Sequence, residues 1–311
     1  MEAGGWNGFL NVLKPTGMTS SDVVVMIRRM LPRGTAVGHG GTLDPDAAGV
    51  LPVCVGKATR LFDYIIDKQK TYIAELTLGV ETDTQDQTGR VVRRSPVTAG
   101  RAEIEAALPA LVGDIQQIPP MFSAIKRDGK RMYDLARKGQ AVALEPRTVH
   151  VDGLEYLSDD GENRHRIAVY CRKGVYVRTL MHDLGRMLGC GGHMSFLMRS
   201  RAGVFDQAEA HTVEELREAH EQGRLAQLLT PMDAPIRHLH RVDIPAALDK
   251  PTRNGAALPV SRLGQPVPTG EPLRMYLEDS FAGIGLSDGT QVRFQAMLLE
   301  RDPAKHSESG N

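Results

Sequence analysis

Residues 34 to 49 read GTAVGHGGTLDPDAAG, with five glycines and a proline in sixteen positions and no apolar period. Such a stretch cannot form a regular element along its length, so it reads as a loop whose backbone shape matters. Asp44 sits in it between Leu43 and Pro45. A single carboxylate on a backbone-constrained loop is one way to present a nucleophile or base without interfering neighbours. An Asp before Pro is more often a plain turn residue, so the loop alone leaves both readings open. A phosphate cradle fits poorly, because the glycines match neither GxxxxGK[ST] nor GxGxxG.

The flanking segments have clearer periods. Residues 9 to 13 are apolar, Lys14-Pro15-Thr16-Gly17 reads as a turn, and Ser20 or Ser21 caps a helix with Val23, Ile27, Met30 and Leu31 on one face. From Lys70, the alternation of Tyr72, Ala74, Leu76 and Leu78 against Thr71, Ile73, Glu75 and Thr77 predicts a half-buried strand with Tyr72 on the buried face. Thr98 precedes a helix through Ile104, Leu108 and Leu111, and Pro119-Pro120 then breaks regular structure. Residues 167 to 178 predict two strand segments interrupted at Gly174, with Tyr176 and Arg178 on one face, followed by a helix through Leu180, Leu184 and Leu188. Thr212-Val213-Glu214-Glu215 is a capping box. Beyond Pro231, short runs such as RMYLED, FAGIGL and VRFQAMLL, with Asn254-Gly255 and Asp288-Gly289 turns, predict a small β-barrel-like module.

The 311 residues, 41% of them hydrophobic, allow a sizeable core and two unequal domains. Lys plus Arg equals Asp plus Glu at 38 each, so any basic surface must be local. Residues 126 to 147 supply one, with seven Lys or Arg against three acids. Three cysteines without a CxxC pair, and no clustered histidines, make neither a disulfide framework nor a zinc site. Without a signal-like segment or a run of about 18 apolar residues, the expected location is the cytoplasm. Tyr72 and Tyr176 suit stacking on a nucleobase or ordinary core packing. Arg178 suits pairing with a buried carboxylate to keep it ionised, or a solvated strand position. His39 suits a loop histidine bonded to backbone.

In order, GFLNVLKPTGMTSSDVV (8–24), GHGGTLDPDAAGVLPVCVGKATRL (38–61), KTYIAELTLGVETDTQDQTG (70–89), PPMFSAIKRDGKRMYDLARKG (119–139), GVYVRTLMHDLG (174–185) and FLMRSRAGVF (196–205) resemble the bacterial tRNA pseudouridine synthases of the TruB family. The resemblance spans most of residues 8 to 232. It implies an α+β pseudouridine-synthase fold with a central, mainly antiparallel sheet. The implied domains are a catalytic domain over 1–237 with an RNA-gripping insertion at 119–147, a PUA-like RNA-binding domain over 238–302, and a disordered tail over 303–311. By the same resemblance Asp44 is the nucleophile, Tyr72 packs on the target base and Arg178 pairs with Asp44. His39 holds the T loop once the base has left it, Lys14 and Pro15 brace the catalytic loop, and Tyr176 and Leu197 line the pocket. Lys14 joins the substrate-binding set, as do Lys126, Arg127, Lys130 and Arg131 of the insertion, which is expected to be mobile until RNA binds. The implied activity is isomerisation of the uridine at tRNA position 55, with tRNA as partner and a reaction that needs no cofactor or metal; a monomer is the default expectation, and the lack of a long apolar run leaves no membrane partner expected. A tRNA-folding chaperone, a guide-RNA-dependent synthase subunit and an unrelated phosphate-loop hydrolase are the rival readings.

Overall fold

The computed structural model describes residues 5–66, 69–120, 126–127, 130–131 and 145–300. In chain order the strands are β1 (Gly8–Lys14), β2 (Val37–His39), β3 (Ala48–Val55), β4 (Lys70–Leu78), β5 (Val80–Thr82), β6 (Val91–Arg94), β7 (Gly113–Gln117), β8 (Lys126–Arg127), β9 (Lys130–Arg131), β10 (Arg147–Asp159), β11 (Arg164–Cys171), β12 (Gly192–Ala202) and β13 (Phe205–Asp206). A second group follows: β14 (His240–Ile244), β15 (Leu258–Pro259), β16 (Pro272–Leu277), β17 (Ser280–Ser287) and β18 (Gln291–Met297).

Nine strands form one sheet in the order β1-β3-β12-β4-β11-β10-β7, with β2 added on β3 and β13 on β12. Among the described residues only the β12–β3 pairing of this sheet is parallel, so the sheet is mainly antiparallel, as expected. β4 lies at its centre and buries Tyr72, Ala74, Leu76 and Leu78, the face that the alternation predicts. Helices Ser20–Met30 and Val177–Met187 bury Val23, Ile27, Leu180 and Leu184 in the same core.

The last five strands form a separate sheet in the order β14-β16-β17-β18-β15. Its own core holds Val242, Leu273, Met275 and Val292. A third apolar cluster joins Phe9, Cys54 and Phe205 of the large sheet to Ile284, Ala296 and Leu298 of the small one. Phe9 and Phe205 meet there edge to face at 5.7 Å.

Four local expectations need correction. Helix Ser20–Met30 is capped by Thr19, which forms a capping box with Asp22, because the Ser20 hydroxyl is engaged elsewhere. The glycine-rich segment is not irregular throughout: Val37–His39 is a strand on the β3 edge, and His39 lies opposite Val53. Arg178 is not on a strand. Tyr176 is the N-cap and Arg178 lies in the first turn of helix Val177–Met187, whose Val177, Leu180, Met181 and Leu184 share a buried face. Asn254-Gly255 ends a short helix rather than a hairpin, whereas Asp288-Gly289 does join β17 to β18. The 303–311 tail lies outside the described residues.

Candidate active site

The Asp44 loop is fastened from three sides. The Ser20 hydroxyl donates to the Leu43 carbonyl (3.1 Å) and accepts from the Leu43 N–H (2.9 Å), which ties the first turn of a helix to the residue before Asp44. Lys14, fully buried at the end of β1, donates to the carbonyls of Pro15, Met18 and Pro45 at 2.9, 2.6 and 3.1 Å. Arg199 of β12 donates from Nε to the Val50 carbonyl (2.7 Å) and from Nη2 to the Gly41 carbonyl (3.0 Å), gripping both ends of the loop. Here the close strand approach requires glycine: a Cβ on Gly49, whose φ is +113°, would sit 2.2 Å from the Arg199 carbonyl oxygen.

Arg178 then fixes the carboxylate itself. Its Nη2 lies 2.9 Å from Asp44 Oδ2 and its Nη1 lies 3.1 Å from Asp86 Oδ2. The guanidinium is buried, and its planar fork faces two carboxylates at once. Asp86 is held in turn. Its Oδ1 accepts from the Thr84 hydroxyl (2.7 Å) and from the Thr88 hydroxyl (2.6 Å) and N–H (3.0 Å). The preceding Gln85, at φ +65°, accepts from the Thr179 hydroxyl at 2.7 Å, which links this turn to the helix that carries Arg178.

Above these groups lies an open cavity of about 340 Å³, lined by Asp44, Tyr72, Tyr176, Arg178 and Leu197 among others. That is the lower end of the range for small-molecule sites, of the order needed for one nucleotide base. Its lining also holds Lys70, Arg172, Lys173 and Arg199, so five cations surround one carboxylate. A polyanion would be drawn to such a mouth. Tyr176 is held by a reciprocal pair with Gln117, whose side chain accepts from its N–H (2.7 Å) and donates to its carbonyl (3.0 Å).

The electrostatics correct one expectation. Arg178 does pull Asp44 toward ionisation, but burial acts more strongly and the nearby Asp86 adds to it, so the carboxyl is raised above its usual value of 3.8. Protein surrounds the carboxylate on most sides, yet 46% of the side chain stays accessible from the cavity. Burial lowers Lys14 to about 8, although its three carbonyl partners match the three N–H groups of the charged form. Burial raises the Tyr72 phenol, against an opposing pull from Arg199.

The structure thus brings Asp44, Tyr72, Tyr176, Arg178 and Leu197 to one cavity, with Lys14 beneath the loop facing backbone carbonyls rather than the cavity. His39 lies outside the lining residues. It is half-buried on β2 with Nδ1 unpaired, and burial lowers its pKa. Lys126 pairs with Arg131 and Arg127 with Lys130 across β8 and β9. Their side chains and the rest of 121–144 lie outside the described residues. Sequence reasoning missed Asp86, Lys70, Arg172, Lys173 and Arg199. For Arg199 a signal existed: two residues after Leu197, it shares the Leu197 face of the strand.

Among the described residues, no group of three or more His, Cys, Asp or Glu could hold a metal ion, and no helix is long and apolar enough to cross a membrane.

The fold is that of the pseudouridine synthases. The chain is similar to a crystal structure of a Cbf5-Nop10-Gar1 complex, with a TM-score of 0.73 and 27% identity over 95% of this chain and 86% of that one. It is also similar to a structure of an H/ACA RNP bound to a substrate RNA containing 2'-deoxyuridine, with a TM-score of 0.72 and 25% identity over 95% and 86%.

Sequence comparison narrows the class. Residues 28–177 match the N-terminal domain of the TruB family of pseudouridylate synthases, and residues 178–237 match the tRNA pseudouridylate synthase B C-terminal domain. A tRNA pseudouridine synthase B of Alkaliphilus oremlandii is 43% identical over 95% of this chain and 100% of its own length. One of Symbiobacterium thermophilum is 53% identical over 68% of this chain and 71% of its own. The chain belongs to the TruB family.

Proposed function

We propose that the chain isomerises the T-loop uridine at position 55 of tRNA to pseudouridine, with Asp44 as the catalytic carboxylate. Its family and its bacterial relatives make it a tRNA pseudouridine synthase. The observation that carries the finer reading is one carboxylate, held by a buried arginine fork, on the floor of a cavity rimmed by cations and faced by a buried tyrosine.

The target bond of a stacked uridine is hidden, so the nucleotide must leave the stack at a cost of a few kcal/mol. The Tyr72 ring supports the extruded base, and Tyr176 and Leu197 complete the pocket wall. His39, near the loop, is assigned to the gap the base leaves. The N1–C1′ bond then breaks while Asp44 attacks C1′, or takes the C2′ proton on a glycal route. Both routes need the carboxylate, which is what the Arg178 contact favours against burial. After the base turns, C5 bonds to C1′ and loses its proton, with the Tyr72 phenol as relay. No step calls for a metal or a cofactor.

Lys126, Arg127, Lys130 and Arg131 are assigned to phosphates of the T stem, and the five-stranded sheet to further RNA contact as a PUA-like domain over 238–302. The likeness to a chain of an H/ACA RNP bound to a substrate RNA favours a second reading, a guide-RNA-dependent synthase subunit. Identity of 43% to a bacterial tRNA pseudouridine synthase B, against 27%, supports the first. The test is a tRNA transcript treated with this chain alone, followed by carbodiimide mapping of pseudouridine. A new stop at the T-loop uridine is expected. A stop elsewhere, or one that needs a guide RNA, overturns the proposal.

A further inference from the structure

Arg172 lines the cavity, yet the cation on Asp44 is Arg178. Arg172 directly follows β11, and its N–H donates to the His150 carbonyl of β10 at 3.1 Å. Its Nε lies 3.3 Å from Asp152 Oδ1. That carboxylate is pinned in turn, with Oδ1 3.5 Å from His150 Nε2 and Oδ2 accepting from the Gln69 side chain at 3.3 Å. His150 is held from its other ring nitrogen, 2.6 Å from Asp114 Oδ1. An exposed ion pair adds little to stability, so this linked set calls for another account. A guanidinium has five N–H groups, and the contact with Asp152 uses the one on Nε. The Nη donors of Arg172 make no hydrogen bond among the described residues, and 64% of the side chain is exposed.

The strand order sets this fork across the cavity from the carboxylate. Asp44 lies just before β3, in a loop gripped by Arg199 of β12; Tyr72 is on β4, the next strand; Arg172 ends β11, the strand after that, and is pinned to β10. Carboxylate, tyrosine and guanidinium therefore follow one another at successive strand spacings. Lys70, 9% exposed, lies two positions before Tyr72 on the same face of β4 and is paired in register with Cys171, the residue before Arg172. A second cation thus stands on the same wall. We propose that Arg172, aimed by Asp152 and with Lys70 beside it, binds the backbone phosphate that adjoins the target uridine. The inference rests on the proposed placement of the base on Tyr72 and of C1′ at Asp44. With both fixed, the sugar-phosphate chain crosses the remaining wall, and that wall is cationic. A phosphodiester offers two anionic oxygens, which the paired Nη donors match bidentately, while Asp152 on Nε sets the plane of the fork. No covalent bond changes at this subsite, so it acts on affinity rather than on the chemical step.

The test measures the Kd of the full native chain, Arg172→Met, Arg172→Lys and Asp152→Asn for T-arm stem-loops. One stem-loop has ordinary linkages, and two carry a single neutral methylphosphonate on the 5′ or the 3′ side of the target. The target and the nucleotide before it are 2′-deoxy in all of them, which keeps the backbone intact. One of the methylphosphonates is expected to raise the native Kd roughly tenfold, the scale of a lost hydrogen bond to a charged group. Arg172→Met should raise Kd on the ordinary stem-loop by a similar factor, and the same methylphosphonate should then cost it less than about twofold. Asp152→Asn should weaken binding by a smaller factor, with no further loss when it is combined with Arg172→Met, and Arg172→Lys should keep part of the affinity. On a stem-loop with uridine at the target, Arg172→Met should raise KM with kcat within about twofold. An unaltered Kd for Arg172→Met, or equal methylphosphonate penalties in that variant and the native chain, would overturn the proposal. So would the absence of a penalty at either linkage in the native chain, a result that needs no variant to fold. Failure of the native chain to form pseudouridine in the uridine stem-loop would sink the functional reading instead, and the affinities would still decide whether Arg172 meets a phosphate.

Discussion

The nine-stranded sheet and its helices bury Lys14, Lys70, Glu75, Arg178 and Arg199, whereas the buried polar groups of the five-stranded region are the hydroxyls of Thr252 and Ser287. Buried charge opposes folding unless it is paired, so its concentration in one region calls for a reason. Lys70, Arg178 and Arg199 line the cavity, Lys14 braces its loop, and Glu75 is held by Ser195 at 2.8 Å and Arg166 at 3.4 Å. The small sheet follows the ordinary rule, with an apolar core and arginines such as Arg241 and Arg293 at the surface. One region concentrates buried charge around the proposed site, and the other is built for packing.

Arg178→Met should sharpen that contrast most. It leaves Asp44 and Asp86 facing each other without their cation, so kcat should fall roughly 10³-fold, the loss expected of an interaction preorganised around the reacting group. Stability should fall by roughly 2–3 kcal/mol, less than for a fully buried pair because Asp44 remains part exposed. Urea unfolding alongside single-turnover kinetics reads both. A loss in stability alone would reduce Arg178 to a packing residue.

The same charges set a pH window. The proposed mechanism requires Asp44 ionised, and its carboxyl is raised above 3.8, so kcat/KM should drop about tenfold per pH unit on the acid side of that raised value. Lys14, lowered to about 8, becomes a neutral amine above that pH, with two N–H groups for three carbonyls, so the loop brace weakens and activity should decline there. A pH–rate profile checks both limbs, and an alkaline limb left in place by Lys14→Arg would break the assignment.

In the insertion, Lys126, Arg127, Lys130 and Arg131 replaced together by Ala should weaken tRNA binding. The slope of log Kd against log salt should flatten by roughly 0.7–0.9 for each phosphate no longer neutralised. An unchanged slope would remove these residues from the RNA interface. The smallest effect is expected in the small sheet, where exposed Arg293→Ala should change kcat less than about twofold and stability by less than about 0.5 kcal/mol. A large change in kcat would contradict the division between the two sheets.

The parts of the fold legible in the sequence were those set by local pattern. The buried face of β4 follows from strict alternation, the capping box at Thr212 from side-chain chemistry, and the irregular core of the Asp44 loop from glycine density. Arg178 was found as a residue but misplaced in its element, because Val175-Tyr176-Val177 reads as strand while the apolar face from Val177 to Leu184 carries it into a helix. The cap at Thr19 was missed because Ser20 bonds to Leu43, a contact 23 positions away that no local rule encodes. Asp86 was hidden in a polar turn, TDTQDQTG, and gains its meaning only from Arg178, 92 positions later. Arg199 was overlooked because a cation on a long strand is usually solvated. What local sequence could not supply was long-range pairing of charges, and the site is largely made of it.

On the proposed mechanism, Asp44 drives the isomerisation of a tRNA uridine. Tritium release from a C5-labelled uridine in a T-arm stem-loop tests it most directly, with the native chain and Asp44→Asn side by side. Release by the native chain, none by Asp44→Asn, and similar stem-loop affinity for both is the predicted result. Release by both, or by neither despite tight binding, would rule out Asp44-driven isomerisation, and the second outcome would favour a tRNA-folding chaperone.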